Sequence, residues 1–305
     1  MGRQMRAGCL AVTLTVVGLS AGGCKSSSAS STDGGDAGGL PADCPQGNDL
    51  ISNFEQDNSL APVEGRSGGW YTYGDSDGMF LTGGTAGYDI AYTMGNPHCT
   101  PGGALHIKGT GFAMWGAATG VDWRPRPSDG DGGYGDKMTY DASAYTGIAF
   151  WAKASAPLDG IQVSFPDLYT DGAAPSHDMP DPSGNPNAPP YCLASDGTCR
   201  CIYNASSYYN CSPYLVQFGL KGDAAADTLF SAYANYQIGT DWQRFQVLFA
   251  DTHQDPGNGG YHTPANMLTV NQLTGMAIQI NPDYSSGHAV ARDFELWIDD
   301  VGFIQ

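Results

Sequence analysis

Positive charge is scarce in this chain of 305 residues: 13 Lys and Arg stand against 31 Asp and Glu, a formal net charge of −18 at pH 7. Nucleic acid and anionic lipid are bound through basic patches, so neither is an expected partner. An acidic polysaccharide is disfavoured for the same reason, unless a divalent cation bridges the like charges. Glutamate is rarer still, at Glu55, Glu64 and Glu295 only. No two of these can share a strand face, and the E-x-D-x-E strand of one class of sandwich hydrolase is missing, so the carboxylate pair of a glycoside hydrolase is not in evidence. A Gly-x-Ser-x-Gly elbow is also missing. His106, His177, His253, His262 and His288 are scattered without the pattern a lyase base would need. A glycanase or lyase is therefore the least favoured reading. Helical periodicity is nearly absent, and AAADTLFSAYANY (224–236) is the one segment that reads as a short helix.

The first residues read as an address. Arg3 and Arg6 precede CLAVTLTVVGL (9–19), a run too short to span a bilayer and of the length of a signal-peptide core. It ends in LSAGGC (19–24), which resembles the lipobox of bacterial lipoproteins and implies Cys24 as the lipid-bearing residue. Ala21 stands where Leu is usual, and an ordinary secretory signal cleaved near Ala21–Gly23 is the alternative. Residues 1–23 are thus expected to be a signal peptide. Residues 24–43, Ser/Gly/Asp-rich and without apolar periodicity, should form a flexible tether. The expected location is the outer membrane or cell surface as a lipoprotein, with a periplasmic or secreted protein as the alternative. Lys25 does not argue for inner-membrane retention, and contact with membrane is expected through the lipid alone.

Six cysteines remain in the body: Cys44, Cys99, Cys192, Cys199, Cys201 and Cys211. In an oxidising compartment an even set reads as three disulfides, Cys44–Cys99 and two bridges among the clustered four. Zinc is the rival, but paired C-x2-C knuckles are missing.

Residues 44–305 fit one domain. ALHIKG, TGIAFWAK, DGIQVSFPD, WQRFQVLFA, TGMAIQIN and FELWIDDVGF are short, alternate with period two and are separated by Gly, Pro, Asn and Asp. One apolar and one polar face per strand is what a two-sheet antiparallel β-sandwich requires, so the fold class is all-β. Residues 167–213 break the pattern. So long a stretch inside a compact domain is usually functional or disordered, and its cysteines would staple a platform carrying Tyr203.

Taken in order, NFE (53–55), GGWYTYGD (68–75), ALHIKGTGFAMWGA (104–117), YDASAYTGIAFWAK (140–153), VSFPD (163–167), DWQRFQVLFADTHQ (241–254) and FELWIDDVGF (294–303) resemble the galactose-binding-like β-jelly-roll modules of bacterial carbohydrate-binding proteins, family 11-like modules in particular. The resemblance covers about residues 49–305 and departs at the cysteine-rich insertion. It implies a jelly roll whose first and last strands lie together, often with a structural Ca²⁺ beside them. Glu55 on the first strand and Asp299 or Asp300 on the last are the implied ligands, since a hard cation takes several oxygens. Alternation puts Asp299 on the face of Trp297, Val301 and Phe303, taken as the core face, and turns Asp300 away.

Sugar rings pack their C–H faces on aromatic rings while their hydroxyls bond to amides and carboxylates. Trp242 and Trp297, within strands, are expected in the core and Trp70 is undecided. Trp115, Trp151, Tyr73 and Tyr203 are the expected exposed platforms, with Gln279 as a polar partner. The expected function is non-catalytic binding of a neutral, β-glucan-like polysaccharide at the cell surface. The alternative is a structural or adhesive surface protein that presents the cysteine-rich loop to a protein partner.

Overall fold

The computed structural model describes residues 40–99, 101–125, 137–168, 170–171, 191–192, 199–200, 214–218, 237–253, 268–283 and 288–305. The expectations placed at residues 1–39, at 224–236, and at Tyr203, Cys201 and Cys211 lie outside them. Among the described residues there is no α-helix, only strands and short 3₁₀ turns.

The strands in chain order are β1 (Leu50–Ser52), β2 (Trp70–Gly74), β3 (Met79–Phe80), β4 (Asp89–Ile90), β5 (Leu105–Phe112) and β6 (Ala117–Asp122). They continue with β7 (Arg124–Pro125), β8 (Lys137–Met138), β9 (Gly147–Ala154), β10 (Ile161–Phe165) and β11 (Tyr191–Cys192). The last are β12 (Cys199–Arg200), β13 (Tyr214–Phe218), β14 (Gln243–Leu248), β15 (Gly275–Ile280) and β16 (Arg292–Ile304). A seven-stranded sheet runs β14-β9-β16-β5-β3, with β1 joined to β16 and β4 to β5. A five-stranded sheet runs β13-β10-β15-β6-β2, and every ladder is antiparallel. The protein is an all-β, two-sheet antiparallel sandwich.

The inward faces follow the alternation in the sequence. Ile148, Phe150 and Ala152 of β9 face Ile161, Val163 and Phe165 of β10 and Met276, Ile278 and Ile280 of β15, all buried in one apolar cluster. Trp70 and Trp123 are fully buried there, and truncating either to alanine should cost about 3–5 kcal/mol in lost contacts and cavity. Trp70, undecided from sequence, is therefore core.

The expected Cys44–Cys99 disulfide is present and ties the start of the domain to the loop before β5. Cys192 and Cys199 are register partners across the β11–β12 pair.

β16 departs from simple alternation. Its register with β9 shifts between Asp299 and Gly302, and Asp300 sits at φ 46°, in the left-handed region. This is a bulge, which inserts a residue and exchanges the faces beyond it. Phe294, Leu296 and Ile298 face the core before it, and Val301 and Phe303 face the core after it. Trp297 accordingly belongs to the outer face, half-buried rather than core. Asp300 does not turn away to solvent: Asp299 and Asp300 are both buried, at 0% and 3% exposure.

Candidate functional site

On the outer face of the five-stranded sheet, Tyr71 and Tyr73 project from β2 while Trp70 points inward. Across the ladder Tyr71 pairs with Gly120, and Tyr73 with Ala118. Beyond β6, Ala277 and Gln279 follow in the same rows. Among the described residues, the ladder positions beside the tyrosines thus carry small side chains apart from Gln279. A Cβ added at Gly120 would meet Cζ and the hydroxyl of Tyr71 at 3.4 Å, so this ring lies down over the glycine.

Trp115 extends the row from the turn that leads into β6. Ring centroids of Tyr71 and Tyr73 are 5.9 Å apart, as are those of Tyr73 and Trp115, and each step tilts by 37°. The three residues keep 38%, 40% and 39% of their surface exposed. Their hydroxyls are less free: burial pushes Tyr73 up to about 12 and raises Tyr71 further, with the Asp122 charge adding to the effect. Contiguous apolar patches on a solvated face are where ligands and partners are commonly held, which makes this row the candidate surface.

The turn that carries Trp115 is built around Asp75. Its Oδ2 accepts N–H bonds from Met114 (2.9 Å), Trp115 (3.0 Å) and Gly116 (2.9 Å), and its Oδ1 accepts one from Asp77 (3.1 Å). Burial works against the charge, but the four donors outweigh it and hold the Asp75 carboxyl below its ordinary value. Gly116 is required there: it sits at φ 106°, and a Cβ would meet the Ile280 carbonyl at 2.0 Å. Gln279 completes the support, donating from Nε2 to the Trp115 carbonyl (2.9 Å) and to Asn281 Oδ1 (2.7 Å). The structure thus brings Trp115, Tyr73 and Gln279 together, and Tyr71 and Asp75 join them unanticipated.

Trp151 is not part of this surface. It stands on the outer face of the opposite sheet, half-buried, with the His98 ring 4.9 Å away. In the next row of that face, Lys153 lies opposite Trp297, and Trp297 opposite His106. The Lys153 ammonium is 5.0 Å from the Trp242 ring and 5.3 Å from the Trp297 ring, while His106 stacks on Trp297 at 4.8 Å and 5°. Trp242, expected in the core, is half-buried in this ladder. Both Trp297 faces are taken by cationic or imidazole neighbours, so these rings stabilise the sheet and leave little face for a sugar.

The three glutamates are dispersed. Glu64 accepts from Asn48 and Tyr140, Glu295 from His106 and Lys108, and Glu55 from the Gly103 N–H. No two of them form the paired carboxylates of a hydrolase.

Glu55 instead faces the bulge. Asp299 Oδ2 accepts from the Asn96 N–H (2.7 Å), and Asp300 Oδ2 from the Asn96 side-chain amide (3.0 Å). Burial raises Asp299 to about 8, with the charges of Asp300 and Glu55 adding to it. Burial and then Glu55 raise Asp300 to about 6 against the Asn96 bond. The charge of the half-buried Glu55 opposes ionisation of both buried aspartates, while the Asn96 groups and, at Asp300, the His98 charge favour it; the three carboxylates carry oxygens of the kind a hard cation takes. Their oxygens are not all within 4.8 Å of one another. The trio that meets that distance among the described residues is Asp43, Cys44 and His98, and there the Cys44 sulfur is bound in the disulfide.

No protein-family model matches the sequence, and no curated protein matches it. Among solved structures, the chain is similar to the family 11 carbohydrate-binding module of the cellulosomal cellulase Lic26A-Cel5E of Clostridium thermocellum. The identity is 10% and the TM-score 0.42, over 85% of this chain and 94% of that one. A structure of the Clostridium thermocellum family 11 module in complex with a β-1,3-1,4-mixed-linked tetrasaccharide gives 10% identity and a TM-score of 0.40, over 81% and 94% of the two chains. SGBP-B, from a xyloglucan utilization locus of Bacteroides uniformis, gives 9% and 0.33, over 85% and 50%.

Proposed function

We propose that the chain is a non-catalytic polysaccharide-binding protein that holds a neutral, β-glucan-like chain at the cell surface. The observation that carries this reading is the row Tyr71–Tyr73–Trp115. Each ring offers a face for the C–H side of one pyranose, and the spacing is close to one sugar unit along an extended chain. Gln279, beside Trp115, spends its amide N–H groups on the Trp115 carbonyl and Asn281 and keeps its carbonyl oxygen as an acceptor for a hydroxyl.

Under this proposal residues 1–23 export the protein, Cys24 carries the lipid, and residues 24–43 hold the domain away from the membrane. Calcium at Glu55, Asp299 and Asp300 would be structural, neutralising buried charge where β16 bulges next to β1, in the other sheet from the rings.

Affinity electrophoresis of the mature protein through gels with mixed-linkage β-glucan, xyloglucan or a uronate polysaccharide tests the reading. Retardation by a neutral glucan that Trp115→Ala abolishes is expected. Migration unaffected by every polysaccharide would refute it.

A further inference from the structure

We infer that Asp122 and Lys137, braced by Asp171, form a hydroxyl-reading clamp at the Tyr71 end of the ring row and set which glycans the surface accepts. The inference rests on the polysaccharide-binding reading and deepens it.

Asp122 is the last residue of β6 and lies on the outer face two places beyond Gly120. Its neighbour across the ladder is Gly275, so no side chain walls it off on that side. Tyr71 donates its hydroxyl to Asp122 Oδ1 at 3.1 Å. Lys137, from β8, places its ammonium 2.9 Å from the same oxygen and 3.2 Å from Asp171 Oδ2. Thr274 donates to Asp171 Oδ2 at 2.6 Å. Side-chain exposures of 20% for Asp122, 21% for Lys137 and 8% for Asp171 grade from a half-open rim to a buried brace. Burial alone would lower the Lys137 amine, yet the Asp171 and Asp122 charges outweigh it and raise it, so it remains an ammonium.

What is left unused in this arrangement points to the ligand. Asp122 Oδ1 takes both the Tyr71 hydroxyl and the ammonium, and Oδ2 has no partner among the described residues. An ammonium carries three N–H donors, and two of Lys137's are engaged. One open acceptor therefore stands beside one open donor, against the ring that ends the platform. A hydroxyl donating to Asp122 Oδ2, with a neighbouring hydroxyl oxygen accepting from Lys137, satisfies both. The chemical class is a pyranose with adjacent free hydroxyls. A site that hydrogen-bonds a hydroxyl rejects the analogue that lacks it, because its own polar groups are then left unpaired.

The test measures affinities of the mature protein for β-glucan oligosaccharides with free hydroxyls and for their O-methylated counterparts. The proteins compared are the wild type, Asp122→Asn, Lys137→Met and Trp115→Ala. The expected wild-type preference for the free-hydroxyl ligand is about tenfold or more, the scale of one charge-assisted hydrogen bond. In Asp122→Asn that ratio should fall toward one, with a modestly lowered melting temperature from the weakened Lys137 pairing and residual binding through the rings. Lys137→Met leaves two carboxylates facing without their cation and is expected to lose stability, so Asp122→Asn is the deciding variant. A wild-type ratio retained in Asp122→Asn would overturn the clamp while leaving the ring platform intact. A uronate oligosaccharide bound more tightly than the neutral one would also overturn it. Absence of binding to any glycan would overturn the polysaccharide reading itself.

Discussion

Replacing Asp75 with alanine should both destabilise the protein and weaken its ligand surface, because one carboxylate holds the turn that presents Trp115. Four N–H groups point at it, three of them at Oδ2. Not all are lost equally. Met114 and Trp115 are at 58% and 39% exposure, so their N–H groups can turn to water, whereas the Gly116 bond is buried. A charge-assisted bond contributes about 1.5–3 kcal/mol and a stranded buried donor costs about 1–3 kcal/mol. Counting the Gly116 bond in full and the others in part, Asp75→Ala should cost about 3 kcal/mol, and Asp75→Asn about 2 kcal/mol by the same principle. Urea unfolding at neutral pH measures both. The pH dependence has a definite sign. The folded carboxyl lies below its unfolded value, so its stabilisation is complete above the unfolded value, about 4, and is lost as pH falls through the folded one. The acid limb of the wild-type stability curve should therefore be steeper than that of Asp75→Asn. A variant with wild-type stability, an unaltered acid limb and full glycan affinity would refute this account of how Trp115 is held.

Trp115→Ala should reduce affinity for a neutral glucan at least tenfold, on the order of 1.5 kcal/mol for one lost aromatic contact, while Trp151→Ala leaves it unchanged; isothermal titration of both separates the two sheet faces. Cys44→Ser should lower unfolding free energy by about 2–4 kcal/mol, and a loss under about 0.5 kcal/mol in urea would mean that Pro45 against Gly302 already anchors the entry of the chain. In chelator, stability should fall as pH rises from the unfolded carboxylate value, about 4, through the folded values of about 6 and about 8 at Asp300 and Asp299, since both must ionise where burial opposes it. Calcium should raise the melting temperature, and more so at the upper end of that window; an unchanged melting temperature at about pH 8 would remove the metal from the proposal.

The strands were legible because period-two alternation is a direct consequence of one buried and one wet face. β5, β9, β10, β14, β15 and β16 all fall on segments that alternate in the sequence. The bulge was not legible. Alternation carried through FELWIDDVGF keeps Asp299 and Phe303 on one face, and nothing in the residue types announces that Asp300 takes φ 46°. The misplacement of Trp297 and of Asp300 follows from that single inserted residue. The pair of aspartates was itself a signal, since two adjacent acids in an apolar run alternate badly whichever face is chosen. Only a break in register buries both.

The ring surface was half legible for a related reason. Trp115 in a Gly-rich turn and Tyr73 in WYTYG show their exposure by setting, and Tyr71 carried the same signal as Tyr73, two residues earlier in the same strand. Trp151 fitted the exposed side of its strand equally well, and it is on that side. Alternation says which face a ring is on, but not what its faces touch. Whether a ring is a platform depends on neighbours brought by other strands: glycine beneath Tyr71, and His98 against Trp151. Asp122, Lys137 and Asp171 show the same limit, being charges from three separate segments that only the sheet register and the β7–β8 pair bring together. This ring surface is assembled across strands, so its rings can be found one strand at a time but the charged groups set beside them cannot.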